Sequence, residues 1–210
     1  MAMQLYSKRE CPFCWQVKIA LKHFDVDYHL KEWKTPDKEY LLKFSPQGSS
    51  PVLLDNDLYI WDSIPIVYYL EDISVDEKTL FPGDIKERTK ARLLHTYSNS
   101  VAGRHLREVI FEKRSKPESD WDMERIKNGE QGWRKTLDWL ELENETSDSF
   151  LSAGFSVADV ALLPRFGLAE HYGVGVNEDH PKLFNWFQKG KEQKTYLETS
   201  PFQAVETSIV

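Results

Sequence analysis

Cysteine is nearly missing from this chain: only Cys11 and Cys14 occur among 210 residues. That excludes a disulfide scaffold, which needs more cysteines at wider spacing. It also excludes a cysteine-rich structural zinc site, because no second cysteine pair exists. The six histidines show no metal-ligand spacing, so no metal is expected. No apolar run approaches the roughly 20 residues that a membrane helix needs. Positive charge is scarce too. The net charge is −7, and residues 1–76 hold 8 Lys and Arg against 12 Asp and Glu. Nucleic acid and anionic membrane, which reward a positive face, are therefore not expected partners. The densest basic run, Lys113-Arg114-Ser115-Lys116, reads as a solvated helix end. Met1 to Glu10 lacks the apolar stretch of a signal peptide, and a cytoplasmic location is expected.

What is present divides into two parts. Met3 to Ser7 alternates like a short strand. In residues 12–24, Val17, Ala20, Leu21 and Phe24 recur at helical spacing. Tyr28 to Leu30 suits a second strand, and Lys38 to Phe44 a short helix that ends before Ser45-Pro46. Pro51 to Leu54 and Leu58 to Trp61 flank the turn-prone Asp55-Asn56-Asp57, which predicts a hairpin. Asp62 and Ser63 open a helix to about Asp72, with Pro65 in its first turn. The order β-α-β-α-β-β-α predicts a small α/β domain with one parallel and one antiparallel half.

After the polar stretch 77–84, with Pro82-Gly83, strand signals almost vanish. Helices are expected over 85–112, with Leu94, Tyr97 and Val101 on one stripe, over 121–145 and over 156–172, with shorter ones from Pro181. The expected fold is thus α/β followed by all-α: domain 1–76, linker 77–84 and a helical bundle over 85–210.

The strongest chemical signal is Cys11-Pro12-Phe13-Cys14. It follows a predicted strand and opens a predicted helix, with Pro12 suited to the first helical position. Cys11 then sits where unpaired backbone N–H groups and the helix dipole favour a thiolate. The thiolate is the reactive form, and such placement lowers the pKa below about 8.5. Cys14 lies one turn further in, at a spacing that permits a Cys11–Cys14 disulfide. Two further features are weaker alone. Pro51 starts a probable strand, where proline is tolerated. Asp62 and Ser63 are good N-cap residues. A helix N-terminus with a hydroxyl also suits a carboxylate, and Asp62 could pair with an ammonium group, so the two fit the head of a free amino acid.

These residues together resemble the glutathione transferase superfamily. Ser45-Pro46-Gln47-Gly48-Ser49-Ser50-Pro51-Val52-Leu53 looks like the loop that binds the glutathione backbone. Asp62-Ser63-Ile64-Pro65-Ile66-Val67-Tyr68-Tyr69-Leu70 looks like the γ-glutamyl-binding helix, with Asp where Glu is commoner. Phe155-Ser156-Val157-Ala158-Asp159 resembles the capping box and hydrophobic staple of a core helix, a structural motif. The resemblance implies a thioredoxin-like first domain and a cis Pro51 facing the cysteine. It implies Cys11 and Cys14 as catalytic residues. Phe13, Ser49, Ser50, Pro51, Asp62 and Ser63 would bind glutathione as co-substrate, with no other cofactor.

Most of the family activates glutathione with Tyr or Ser. Cys11 is instead similar to the omega-like and bacterial cysteine-type members, which carry out thiol transfer through a mixed disulfide. The second cysteine looks more like a glutaredoxin. Monothiol and dithiol routes stay open, as do conjugation of glutathione to electrophiles and a non-enzymatic partner-binding role. The resemblance further implies a homodimer, with Trp61, Tyr68 and Tyr69 as aromatic surface. A second small-molecule or disulfide substrate would enter a hydrophobic site between the domains, for which Tyr97, Ser98, His105 and Trp33 are candidates.

Overall fold

A computed structural model describes residues 2–32, 38–75 and 77–202. Its first part is a four-stranded sheet in the order β2-β1-β3-β4, formed by β1 (Met3–Ser7), β2 (Tyr28–Glu32), β3 (Val52–Asp55) and β4 (Leu58–Trp61). β1 runs parallel to β2, with Leu5 beside Leu30, and antiparallel to β3, with Leu5 beside Leu53. Leu5 and Leu53 are fully buried, so this central pair carries the sheet's core face. β3 and β4 form the hairpin, and Asn56 takes a positive φ at its turn. The thioredoxin-like fold expected from the sequence is the fold observed.

Helix α1 (Pro12–His23) buries Trp15, Val17, Ile19, Ala20 and Leu21. Its apolar surface exceeds one stripe because it packs on α3 (Ser63–Ile73) on one side and on α7 (Val157–His171) on the other. It is therefore the joint between sheet and helical bundle. α2 is shorter than the sequence suggests. It spans Lys38–Leu41 and decays into turns, leaving Phe44 stacked on Tyr59 with ring centres 4.6 Å apart.

The second part is all-helical: α4 (Ile85–Tyr97), α5 (Gly103–Ser115), α6 (Met123–Glu143), α7, α8 (Pro181–Glu192) and α9 (Lys194–Leu197). α4 starts on a capping box in which Asp84 accepts from the Lys86 and Glu87 amides and Glu87 reaches back to the Asp84 amide. α7 is the core helix, buried from Val157 through Ala169. Its Ser156–Asp159 capping box is present, and Asp159 also accepts from the Phe150 amide and the Trp186 indole. Phe155 stacks on His23 of α1, so the staple reaches across the domain boundary.

Residues 85–112 are helical throughout, as expected, but not as one α-helix. A π-helical turn, Ser98–Ala102, separates α4 from α5. Such a turn accommodates an extra residue. The predicted stripe breaks there: Leu94 is buried, Tyr97 half-buried and Val101 exposed. Among the described residues no helix is long and apolar enough to cross a membrane.

Candidate functional site

Cys11 is the N-cap of α1, and its extended backbone ends the β1–α1 loop. Pro12 takes the first helical position, so the amides of Phe13 and Cys14 are free to point at the Cys11 sulfur. The Cys11 thiol is held down at about 6. The largest cause is a hydrogen bond from the Cys14 thiol, followed among the favourable causes by the Cys14 and Phe13 amides and the Arg165 charge. Burial opposes them. Cys14 is fully buried, and burial together with the adjacent Cys11 pushes its thiol well up. The Lys8 amide donates to the Cys14 sulfur at 3.4 Å, and Ser50 hydrogen-bonds it as well. The two cysteines differ: Cys11 is half-buried with its thiol pulled down, and Cys14 is buried with its thiol pushed up.

The Ser50–Pro51 peptide bond is cis. Through its bond to Cys14, Ser50 ties this loop to the cysteine motif, whereas Ser49 points into solvent. Asp62 has φ of 71°, and its carboxylate accepts from the Ser63 amide at 2.6 Å. Ser63 is buried, and its hydroxyl accepts from the side-chain amide of Asn99 at 3.2 Å. Asn99, in the π-helical turn, in turn accepts from Gln16 of α1 at 2.8 Å. His95 lies 3.3 Å from the same Gln16 side chain, and burial pushes its imidazole down to about 4. A buried polar chain thus joins the Ser63 end of α3 to the helical domain.

A cleft of about 430 Å³ opens between the start of α1 and the face of α5. Cys11 and Phe13 line it from the first domain, and Asn99, Gly103, Phe111 and Arg165 from the second. Ser50, Pro51, Asp62 and Ser63 lie outside this lining; Ser63 is linked to it through Asn99, which lines it. Arg165 was not legible in the sequence. It sits on α7 at 4% exposure, with its guanidinium 4.6 Å from the centre of the Phe13 ring. Its Nε and Nη2 atoms have no hydrogen-bond partner among the described residues. Burial pulls it down to about 10, and the Cys11 charge works the other way. A Cβ on Gly103 would come within 2.6 Å of its Nη1, so a residue without a side chain is what leaves room for the guanidinium.

The expected hydrophobic-site residues are placed elsewhere. Tyr97 packs on Trp139 with ring centres 4.2 Å apart. Ser98 is buried and donates to the Ala161 carbonyl. His105 covers Gly132 of α6. None of the three lines the cleft. Trp33 lies outside the described residues. The basic run at the end of α5 is only partly a solvated helix end: Arg114 lines the cleft, Lys113 donates to the Tyr172 carbonyl and Lys116 pairs with Glu112. Among the described residues no cluster of three His, Cys, Asp or Glu side chains could hold a metal.

Fold and site together define a thioredoxin-like thiol protein with an appended helical domain. The family model for the glutathione S-transferase N-terminal domain matches residues 1–72, and that for the glutathione S-transferase C-terminal domain matches residues 123–189. Together they match well over half the chain, which belongs to the glutathione S-transferase superfamily. Among its relatives is glutathione S-transferase U28 of Arabidopsis thaliana, 25% identical over 196 residues, or 90% of this chain and 84% of the relative. FtsZ-localized protein A of Caulobacter vibrioides is 25% identical over 193 residues, covering 86% and 83%. A Methylobacillus flagellatus glutathione S-transferase, solved with glutathione bound, shares the fold at a TM-score of 0.80. It is 22% identical, over 95% of this chain and all of the solved one.

Proposed function

We propose that this protein is a glutathione-dependent thioltransferase with Cys11 as its nucleophile. The observation that carries the reading is Cys11 at the N-terminus of α1 in the wall of an open cleft, where the Cys14 thiol and the helix amides draw its pKa down to about 6. A transferase that only polarises glutathione needs a hydroxyl there, whereas a thiolate forms disulfides itself. The glutathione bound to the Methylobacillus flagellatus neighbour supports glutathione as co-substrate.

The proposed cycle has two exchanges. The Cys11 thiolate attacks the glutathionyl sulfur of a mixed disulfide, R–S–S–G. The old S–S bond breaks, Cys11–S–S–G forms, and RS⁻ leaves to take a proton from solvent. The thiolate of a second glutathione then attacks the glutathionyl sulfur of that adduct. This yields oxidised glutathione and regenerates the Cys11 thiolate. Ser50, Pro51, Asp62 and Ser63 would hold the glutathione moiety along the cis loop and the start of α3. Cys14, buried and with its proton retained, donates a hydrogen bond to Cys11 and is not needed for resolution.

A second reading, a non-enzymatic partner-binding protein, is favoured by the relative named FtsZ-localized protein A. Reduction of hydroxyethyl disulfide by glutathione, coupled to glutathione reductase, separates the two. The thioltransferase reading requires turnover that Cys11→Ser abolishes. Weak retention on immobilised glutathione with no turnover supports the partner-binding reading instead.

A further inference from the structure

The cleft over Cys11 is basic in a chain that is acidic overall. α5 places Arg104, Arg107, Phe111 and Arg114 along one face, at helical spacings of three and four, and all four line the cleft. Their side chains are exposed there. Lys8 and Arg165 add positive charge from the cysteine loop and from α7. Among the described residues none of these five cations pairs with a carboxylate. The two acidic residues of the lining are both engaged: Glu108 pairs with Arg125, and Glu10 accepts from the Tyr172 hydroxyl at 2.5 Å. Arg165 is the most telling member. It is nearly buried yet keeps two unpartnered nitrogens, an arrangement whose cost falls when an anion arrives.

The apolar part of the cleft is interleaved with this charge. The guanidiniums of Arg107 and Arg114 lie 4.8 and 4.9 Å from the centre of the Phe111 ring. Phe111 thus has two cations against its ring, and it lines the same cleft as Phe13. Such a surface rejects a purely hydrophobic guest, which would strip water from the guanidiniums without pairing them. It equally rejects a cationic one.

We infer that the second substrate taken by this cleft is a small anionic disulfide: a compact apolar or aromatic body carrying a carboxylate, sulfonate or phosphate. The inference deepens the proposed thioltransferase function and rests on Cys11 being the nucleophile. The anionic group sits on the Arg104–Arg107–Arg114 face of α5, the body packs on Phe111 and Phe13, and the disulfide reaches the Cys11 sulfur. The chain's overall charge of −7 repels a long polyanion, so the guest is a small molecule.

The test compares two aromatic disulfides that differ in charge and need no glutathione. These are 5,5′-dithiobis(2-nitrobenzoate), a dianion, and 4,4′-dithiodipyridine, which is neutral. With each, the Cys11 thiolate forms a protein mixed disulfide and expels one aryl thiolate or thione, followed by stopped-flow absorbance. Rates are normalised to those of 2-mercaptoethanol, which removes the reagents' intrinsic reactivity. The expected result is a normalised preference for the dianion of about tenfold or more at low salt, shrinking severalfold in 0.3 M salt. In Arg107→Gln/Arg114→Gln, checked for folding by circular dichroism, the preference falls toward one. Equal normalised rates, or a preference that the double variant leaves intact, overturns this inference while leaving Cys11 as the nucleophile. Failure of both reagents to react at Cys11 overturns the thioltransferase reading and the inference with it.

Discussion

The guanidinium of Arg165, on the core helix of one domain, lies over the ring of Phe13, two residues after Cys11 of the other. The pair is a cation–π contact, and it holds a positive charge beside the sulfur that the proposed cycle needs ionised. Replacing the charge with a chain of similar length separates its two effects. Arg165→Met lowers the rate of Cys11 alkylation by iodoacetamide at pH 6 by about three- to tenfold, because an opposite charge no longer favours the thiolate. Stability holds or rises, since a buried cation with unpartnered nitrogens is exchanged for an apolar side chain. A melting temperature several degrees lower would count against this account.

Gly103→Ala makes a paired prediction. Gly103 has ordinary helical dihedrals, so alanine there gains about 1 kcal/mol of helix propensity. The new Cβ, however, meets the Arg165 guanidinium at 2.6–2.8 Å. The expected outcome is near-unchanged thermal stability with slower Cys11 alkylation, in the direction of Arg165→Met. Combined in one protein, the two changes should give less than the sum of their separate effects.

Cysteine reactivity sets the pH profile. The Cys11 pKa lies below its ordinary value and the deprotonated form reacts. Alkylation therefore rises about tenfold per pH unit up to about 6 and levels off above it. Cys14→Ala removes the largest single contribution to that depression and shifts the profile to higher pH. Cys14→Ser keeps a hydrogen-bond donor and most reduction of glutathionylated substrates. Treated with oxidised glutathione alone, it forms a Cys11–glutathione adduct visible in an intact mass spectrum, releasing one glutathione thiolate. If Cys14→Ser is as inactive as Cys11→Ser, the cycle runs through a Cys11–Cys14 disulfide.

At the start of α3, Asp62→Ala and Ser63→Ala distinguish capping from binding. Asp62 does cap, through its bond to the Ser63 amide, and losing a cap costs about 0.5–2 kcal/mol of stability. Losing a partner of a desolvated charged ligand group costs about 2–5 kcal/mol of affinity. Calorimetric titration with glutathione should show the larger loss. Unchanged affinity with a lowered melting temperature leaves capping as the whole role of these residues.

The legible parts of this molecule are those whose cause is local. Pro12 after Cys11, the Asp62–Ser63 helix start and the Ser156–Asp159 capping box each satisfy backbone groups within a few residues, so their spacing alone points to them. One helix between two strands and one hairpin pointed to one parallel and one antiparallel pair, but not to the order β2-β1-β3-β4, which depends on β1 pairing with β3 across the chain. Arg165 and Asn99 were invisible because neither has a local signal. Each matters only through a partner brought by tertiary packing, the Cys11 thiolate in one case and the Ser63 hydroxyl in the other. The arginines of α5 were present at helical spacing, but spacing cannot tell a cleft wall from a solvated face. The stripe drawn through Val101 failed because an inserted residue in a helix leaves no mark on composition.

That inserted residue, in the turn Ser98–Ala102, has an evolutionary consequence. One residue more or fewer in a helix rotates everything beyond it by about 100°. Here Leu106, Val109 and Ile110 anchor α5 in the core, so the wider turn takes up the extra position and the row of Arg104, Arg107 and Arg114 stays toward Cys11. The turn is slack stored in the helix: losing one residue there would return it to ordinary α-helix and leave the same row in place. Lineages that differ by one residue at this turn would be expected to keep the same charge preference.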